Sequence, residues 1–358
     1  MKTKPIKILL ISVRSDIGGG PKHLLDLANG LVKSLMFEVT IAAPNEKPFF
    51  QLFSSLTDNI ITIPKRRFSI LKFLQILIHC KSREIQLVHS HGRGAGIYSR
   101  PLSCFGIKVV HTFHGIHKTP NLTGTIKIFT DRILRNLTHQ FICVSKDEKK
   151  IALAHEIGLK EIINVVENGV DIEKIHKKDR VTTETVTTFG MLARLNYQKG
   201  IDLALEFISK INFPFKLLIA GDGEDEEELK KTCNHLGLNE KVSFIGPVSR
   251  PQDLFDQVDA YLSTARWEGL PLSVLEAMSY PLPCLLSKVT GHIQLASEDS
   301  VVLFDLDNPE SLISGIKELK KNKGHYEKEG LRYVRKNHSI ELMLQKTIEV
   351  YKKTLSSE

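Results

Sequence analysis

Ile6-Lys7-Ile8-Leu9-Leu10-Ile11-Ser12, then Asp16-Ile17-Gly18-Gly19-Gly20-Pro21-Lys22-His23, then Leu24, Leu25, Leu27 and Leu31: the opening of the chain predicts a β-strand, a glycine-rich turn and an amphipathic helix. A short apolar run bounded by polar residues reads as a buried strand, and leucines at helical spacing read as the helix that covers it. The same cycle repeats at 39–42, 60–63, 87–89, 109–112, 140–144 and 163–166, each β-branched run followed by a helical stretch. Such alternation means βαβ units and a parallel sheet. After Asp171 the chain turns polar through 173–180 and 182–185 with no hydrophobic period, as an interdomain linker does. Strand patterns then resume at 187–191, 215–220, 242–245, 260–263, 284–287 and 301–304, and a helix over about 339–355 opens with Ser339 at its N-cap and Glu341 in its first turn.

A length of 358 residues exceeds what one hydrophobic core usually organises. The expectation is an α/β protein of two doubly wound, Rossmann-like parallel-sheet domains, 1–178 and 179–358, with the terminal helix able to pack back on the first. Ligands of such sheets sit at the carboxyl ends of the strands, so two facing domains would enclose a central cleft. Apolar and charged fractions of 42% and 25% are ordinary for a globular protein. Five scattered cysteines, with no C-x-x-C pair, argue against a disulfide framework and a zinc knuckle and fit a reducing cytoplasm. The run Ile8–Ile11 is too short for a signal segment, and the stretch around 70–80 is broken by Lys72, Gln75 and His79 and falls short of the roughly 20 apolar residues needed to span a bilayer.

Charge is segregated. Residues 1–180 carry 28 Lys/Arg against 15 Asp/Glu, whereas 181–358 carry 21 against 26. A basic half suits an anionic partner, either lipid headgroups or a pyrophosphate-linked acceptor. Nucleic acid fits less well, because aromatics are only 7% of the chain with one Trp. Residues 65–83 have a basic start, Lys65-Arg66-Arg67, and a broad apolar surface; the reading adopted is a helix burying that surface against its sheet, with its basic ends on headgroups.

Chemistry concentrates in Arg266-Trp267-Glu268-Gly269-Leu270-Pro271-Leu272-Ser273-Val274-Leu275-Glu276-Ala277-Met278. Pro271 suits the first helical turn and Gly269 lets a ligand approach the backbone. A helix starting here aims free amides at an anion, and Glu268 and Glu276 can accept hydrogen bonds from sugar hydroxyls on either side. Upstream, Phe189-Gly190-Met191-Leu192-Ala193-Arg194-Leu195-Asn196-Tyr197-Gln198-Lys199-Gly200 places two cations five apart after a strand, a guanidinium fork and an ammonium fit for a pyrophosphate. The Gly18-Gly19-Gly20 turn lacks the dinucleotide glycine spacing, and no Asp-x-Asp metal motif is present. The histidines His89, His91, His111 and His117 lack the spacing of a metal site, so no metal and no cofactor are expected.

The Glu268–Met278 segment resembles the E-x7-E motif, E-G-x-P/G-x-x-x-x-E-A-M, of retaining GT-B glycosyltransferases, family 4. The resemblance extends to Gly190–Gly200, similar to the family's G-R-L-x-x-x-K-G, to Gly19-Gly20, to His111-Thr112-Phe113-His114 as its T-x-H, and to Asn168-Gly169-Val170-Asp171. It implies that Glu268 contacts the donor sugar, that Gly269, Leu270 and Pro271 hold sugar or diphosphate, and that Glu276 binds ribose. It further implies that Arg194 and Lys199 neutralise the leaving diphosphate without a metal, that Gly19 and Gly20 lie beside the transferred sugar, and that His114 contacts it near the reacting face. At Gly291-His292-Ile293-Gln294 the chain departs from the family's Gly-x-x-Glu. The implied activity is transfer of a hexose or N-acetylhexosamine from a nucleotide diphosphate sugar, UDP favoured, to a lipid-linked or polysaccharide acceptor in bacterial surface glycan synthesis. The enzyme would work in the cytoplasm, peripheral on the inner face of an anionic membrane. A GT-B-like sugar-nucleotide epimerase and a non-catalytic sugar-nucleotide-binding protein are the alternatives.

Overall fold

The structure, a computed structural model, describes residues 4–116, 122–172 and 187–356. The polar stretches 173–180 and 182–185, and His117, lie outside these residues. The chain divides into two compact units, one of Met1–Asn168 with Ile340–Glu358 and one of Gly169–Ser339.

Unit 1 is built on seven parallel strands: β1 (Ile6–Ser12), β2 (Phe37–Ala43), β3 (Ile60–Thr62), β4 (Leu87–His91), β5 (Lys108–Thr112), β6 (Gln140–Cys143) and β7 (Ile163–Val165), in the order β3-β2-β1-β4-β5-β6-β7. Between them run α1 (Gly19–Lys33), α2 (Phe49–Leu56), α3 (Ile70–Ser82), α4 (Arg93–Ser99), α5 (Leu122–Leu134) and α6 (Lys146–Ala154). The unbroken apolar run of β1 follows from burial on both faces. Ile8 and Leu10 pack with Leu24, Leu27 and Leu31 of α1, while Leu9 and Ile11 pack with Phe73 and Ile76 of α3.

Unit 2 repeats the plan with β8 (Thr187–Leu192), β9 (Phe215–Ala220), β10 (Val242–Gly246), β11 (Ala260–Ser263), β12 (Cys284–Ser287) and β13 (Val302–Phe304), in the order β10-β9-β8-β11-β12-β13. Its helices are α7 (Ile201–Ser209), α8 (Glu226–His235), α9 (Gln252–Phe255), α10 (Leu272–Ser279), α11 (Thr290–Leu295), α12 (Pro309–Lys321) and α13 (Lys323–Asn337). Strand order reverses between β1 and β4 in unit 1 and between β8 and β11 in unit 2. These switch points leave a crevice outside the strand ends where ligands of doubly wound sheets bind.

The last helix, α14 (Ile340–Ser356), belongs to unit 1, where Met343, Val350 and Tyr351 join the core beside α1. One helix departs from the reading above. α3 buries only Phe73, Ile76 and Cys80 and leaves Ile70, Leu71, Leu74 and Ile78 exposed. A helix lying on a sheet hides one stripe, and the apolar residues of α3 extend around more of its circumference than that stripe. No helix among the described residues is long and apolar enough to cross a membrane.

Tyr351 anchors α14: it is fully buried, and its hydroxyl meets His89 Nδ1 at 2.7 Å. Tyr351→Ala is expected to destabilise the protein by about 3–5 kcal/mol, as aromatic deletions in cores do. Tyr351→Phe, which strands only the imidazole nitrogen, should cost about 1–3 kcal/mol. Urea unfolding checks both, and equal losses would show that the hydroxyl, not the ring, carries the anchor.

Candidate functional site

In unit 2 the loops leaving the two switch-point strands are laced together. Gly200, at φ +63°, closes the loop after β8; a methyl on it would lie 2.1 Å from the Thr264 carbonyl oxygen, at the end of β11. Only glycine permits both that backbone angle and that approach. Thr264 Oγ1 donates to Gly200 O at 2.7 Å, Arg266 N donates to Gln198 O at 2.8 Å, and Gln198 Nε2 donates to Trp267 O at 3.1 Å. The Arg266 guanidinium forks onto Asp202 at 2.8 and 2.5 Å and lies over the Tyr197 ring, 4.0 Å from its centroid. Arg266 is therefore spent on the scaffold.

This lacing brings Lys199 Nζ onto Glu268 Oε1 as an ion pair, with side chains 22% and 8% exposed. Arg194 sits on the same loop as Lys199, directly past the end of β8. The cation and carboxylate that the sequence reading gave to two different parts of a ligand thus neutralise each other here. Opposite charges held this close in a partly dry setting pair in preference to staying apart.

Gly269, Leu270 and Pro271 lead into α10. Pro271 is the N-cap, extended at ψ 117°, directly ahead of the first helical turn; it caps by conformation, with no side-chain acceptor. The first amides of α10 have no partner inside the helix, as at any helix start. Tyr261 fixes that start, its hydroxyl meeting Leu192 O at 3.1 Å and Ser273 Oγ at 3.0 Å. Glu276 lies one turn into α10, so the two acids do not flank the helix start symmetrically: Glu268 precedes it and Glu276 is carried by it.

A group that sequence reading treated only as a departure also belongs to this corner. His292, fully buried on α11, contacts the Ser287 carbonyl oxygen at 2.8 Å. Burial lowers its pKa, the Glu268 charge opposing that shift and the Lys199 charge adding to it. Gly291 packs so tightly on the Glu268–Gly269 backbone that a methyl would come within 2.5 Å of Gly269 O. The signal for both was the Gly291-His292 pair at the place of the family's Gly-x-x-Glu.

Unit 1 gathers histidines at its own switch point. Gly19 and Gly20 open α1, and a methyl on Gly20 would meet open space, so no packing demands glycine there. Further along α1, His23 packs edge-on to His114, with centroids 4.7 Å apart. His91 Nδ1 lies 3.0 Å from His114 Nε2, and ligand-capable atoms of His23, His91 and His114 all fall within 4.8 Å of one another. Chain spacing could not show this grouping, because the three come from α1 and from the ends of β4 and β5. Buried His91 Nε2 has no partner. A buried donor without an acceptor is rarer than an unused lone pair. The hydrogen-bond network therefore assigns the His91 proton to Nδ1, makes His114 Nε2 the acceptor and leaves the His114 proton on Nδ1.

His114 has a left-handed backbone, φ +57°, which the following residues hold in place. Buried Glu148 accepts from Gly115 N at 2.5 Å and Val144 N at 2.7 Å, tying the loop after β5 to the start of α6. Burial raises its pKa while those amides lower it. Sequence reading overlooked Glu148; the Ser145-x-x-Glu148 spacing of a capping box was the available signal. Ser145 does cap α6, accepting from Glu148 N at 3.0 Å, while the carboxylate turns to the loop instead.

Each unit is thus a doubly wound parallel sheet, with an acid and a lysine at the switch point of unit 2 and a histidine group at that of unit 1. Family models match the chain in succession, Glycosyltransferase Family 4 over residues 17–174 and Glycosyl transferases group 1 over residues 171–337. The chain belongs to this family of GT-B glycosyltransferases. It is similar to the Escherichia coli UDP-Gal:alpha-D-GlcNAc-diphosphoundecaprenol alpha-1,3-galactosyltransferase, 27% identical over 276 residues, covering 70% of this chain and 71% of that protein. The E. coli O-antigen biosynthesis glycosyltransferase WbnH is 27% identical over 300 residues, covering 82% and 84%. Among solved structures, Anabaena HepE in complex with UDP and glucose matches with a TM-score of 0.84 at 16% identity, over 97% of this chain and 100% of that one.

The buried imidazoles make unit 1 acid-sensitive. Burial lowers the pKa of His23 from 6.5 to about 4, against a hydrogen bond with the Asn168 side chain that favours the protonated ring and raises it. The unfolded chain takes up that proton first, so the stabilisation is complete above pH 6.5 and is lost as pH falls towards 4. At about 1.4 kcal/mol per pH unit, the loss reaches roughly 3 kcal/mol for His23 alone. Thermal unfolding between pH 7.5 and 4 should show Tm falling through this window, with a shallower fall in His23→Gln.

Proposed function

We propose that this glycosyltransferase moves a hexose or N-acetylhexosamine from a UDP-sugar to a lipid-linked glycan acceptor with retention of anomeric configuration. It acts without a metal, as a peripheral protein on the inner face of the cytoplasmic membrane during bacterial surface polysaccharide assembly. The observation that carries the reading is the Lys199–Glu268 pair ahead of α10 at the β8/β11 switch point. The names of the E. coli relatives, a galactosyltransferase acting on a diphosphoundecaprenol-linked sugar and an O-antigen enzyme, support the donor and acceptor classes.

In this reading a diphosphate offers Lys199 a stronger partner than one carboxylate, and Arg194 adds a bidentate fork. Lys199 turns to the diphosphate, and Glu268 is released to accept hydrogen bonds from the donor sugar. The amides of Gly269 and Leu270 and the N-terminal end of α10, behind Pro271, complete the anion's surroundings. Glu276 accepts from the ribose hydroxyls. In unit 1, His114 donates through Nδ1 to the transferred sugar, and Gly19 and Gly20 leave room beside it. The acceptor hydroxyl attacks the anomeric carbon on the face that the diphosphate leaves. The C–O bond to phosphate breaks with its electron pair going to UDP, and the acceptor proton passes to the departing phosphate oxygen. Negative charge grows on the leaving group, so fixed positive charge lowers the barrier.

Incubation with a panel of UDP- and GDP-sugars and a lipid-diphosphate acceptor should give acceptor-dependent UDP release and an α-linked product by NMR. Glu268→Gln is expected to lower kcat by about 10²–10³. Glu276→Gln should raise the donor KM roughly tenfold or more with a smaller effect on kcat. EDTA should leave turnover unchanged. An inverted product, or full activity in Glu268→Gln, would sink the reading.

A further inference from the structure

The outer face of unit 1 is unusual in both apolar exposure and charge. α3 presents Leu71, Leu74 and Ile78 to solvent, and α5 presents Ile126, Phe129 and Ile133; Leu71 is 75% exposed, Ile78 67% and Phe129 62%. In each helix the three recur at i, i+3 and i+7, one continuous stripe per helix.

Both stripes lie on one side of the sheet. Given the order β3-β2-β1-β4-β5-β6-β7, the β3-to-β4 and β5-to-β6 connections run in the same direction, and right-handed crossovers place their helices on the same face. Direct contacts join the layer. Lys81 Nζ at the end of α3 donates to Phe105 O at 2.6 Å, at the close of the 3-10 turn Arg100–Phe105. Arg93 of α4 and Arg100 of that turn both pair with Asp131 of α5, at 2.8 and 2.9 Å.

The charge around these stripes is mostly positive, with exposed Glu84 near Lys7 and exposed Glu156 near Arg132 as acids among the cations. Residues 65–135 contain 13 Lys/Arg and two acids, Glu84 and Asp131. Asp131 is buried between its two arginines, so it shows no charge to the outside. Arg67, Arg83 and Lys127 are exposed around the apolar stripes. Exposed apolar stripes rimmed by charged residues mark surfaces that meet a partner. Apolar side chains ringed by cations match a layer whose headgroups are negative and whose interior, a few ångströms deeper, is hydrocarbon.

We infer that the α3–α5 face of unit 1 is the membrane-docking surface of this enzyme, inserting its two apolar stripes shallowly into an anionic phospholipid bilayer while the surrounding lysines and arginines hold the headgroups. The inference rests on the proposed membrane-linked acceptor and specifies which surface meets the membrane. α1, α2 and α14 take no part, since they cover the opposite side of the sheet with the other core of unit 1.

The test is sedimentation of the full chain with vesicles of phosphatidylcholine alone or mixed with phosphatidylglycerol. The wild type should bind the mixed vesicles at least about tenfold more tightly than the neutral ones, and less tightly as salt rises. Leu71→Ser with Ile78→Ser, and separately Phe129→Ser with Ile133→Ser, should each weaken binding about tenfold or more. Because all four side chains are exposed, thermal midpoints should match the wild type. Equal binding by the variants, equal binding to neutral vesicles, or no binding by the wild type overturns the inference. So does a wild-type dimer in gel filtration that the same substitutions dissolve, which would make the face a contact between copies. Sugar transfer to a water-soluble acceptor analogue should be unchanged in the variants. Its absence in the wild type would strike the proposed reaction and leave the vesicle result to be judged separately.

Discussion

The ion pair between Lys199 and Glu268 is the constraint around which unit 2 is arranged. Two charges with little solvent contact are costly to hold, and their mutual attraction repays that cost only where the geometry is fixed beforehand. The geometry is fixed by backbone. Gly200 lets the loop after β8 lie against the end of β11, Arg266 ties that loop through the Tyr197 carbonyl and α7 through Asp202, and Gly291 lets α11 close on the Glu268–Gly269 backbone. Each of these residues serves the pair without belonging to it. A site organised this way holds its charges aligned, so in the reaction proposed above a diphosphate has only to exchange partners.

Much of this was legible along the chain because parallel sheets covered on both faces write an unmistakable pattern. The continuous apolar run of β1 has that form, and every strand run read from the sequence corresponds to a strand of the structure within a residue or two. The acid-and-lysine pairing of Lys199 with Glu268 could be placed only approximately, since 69 positions separate the two and the loops that join them carry no periodic signal. Grouping of His23, His91 and His114 was hidden for the same reason: strand order is needed to see that β1, β4 and β5 end side by side. α14 shows a different limit. Its helical period was plain, yet the unit it serves depends on Tyr351 reaching His89, a contact across 262 positions.

Glu148 illustrates how a local rule can be half right. Ser145 and Glu148 have capping-box spacing, and the serine does cap α6, but the carboxylate is drawn instead to Gly115 N and Val144 N. The reason lies in His114. Its left-handed backbone turns the chain sharply after β5 and leaves the next amides pointing inward, where an unpaired N–H is expensive. A buried carboxylate that accepts from those amides holds the strained turn, and so fixes the ring that meets His91.

Burial also separates the two kinds of positive charge in unit 1. Its interior histidines are held neutral by desolvation, so the switch-point corner they line gains little charge from them near neutral pH. Folding consumes Arg93 and Arg100 on the buried Asp131. The exposed arginines and lysines of α3 and α5 answer no buried acid: Lys81 bonds the Phe105 carbonyl and Arg132 the His155 carbonyl and the exposed Glu156. Stability alone does not account for a helix layer that keeps both surplus cations and surplus hydrocarbon, because each is better exchanged for neutral polar residues when water is the only neighbour. The two excesses make physical sense together where the neighbour is at once anionic and apolar, and a lipid headgroup layer is such a neighbour.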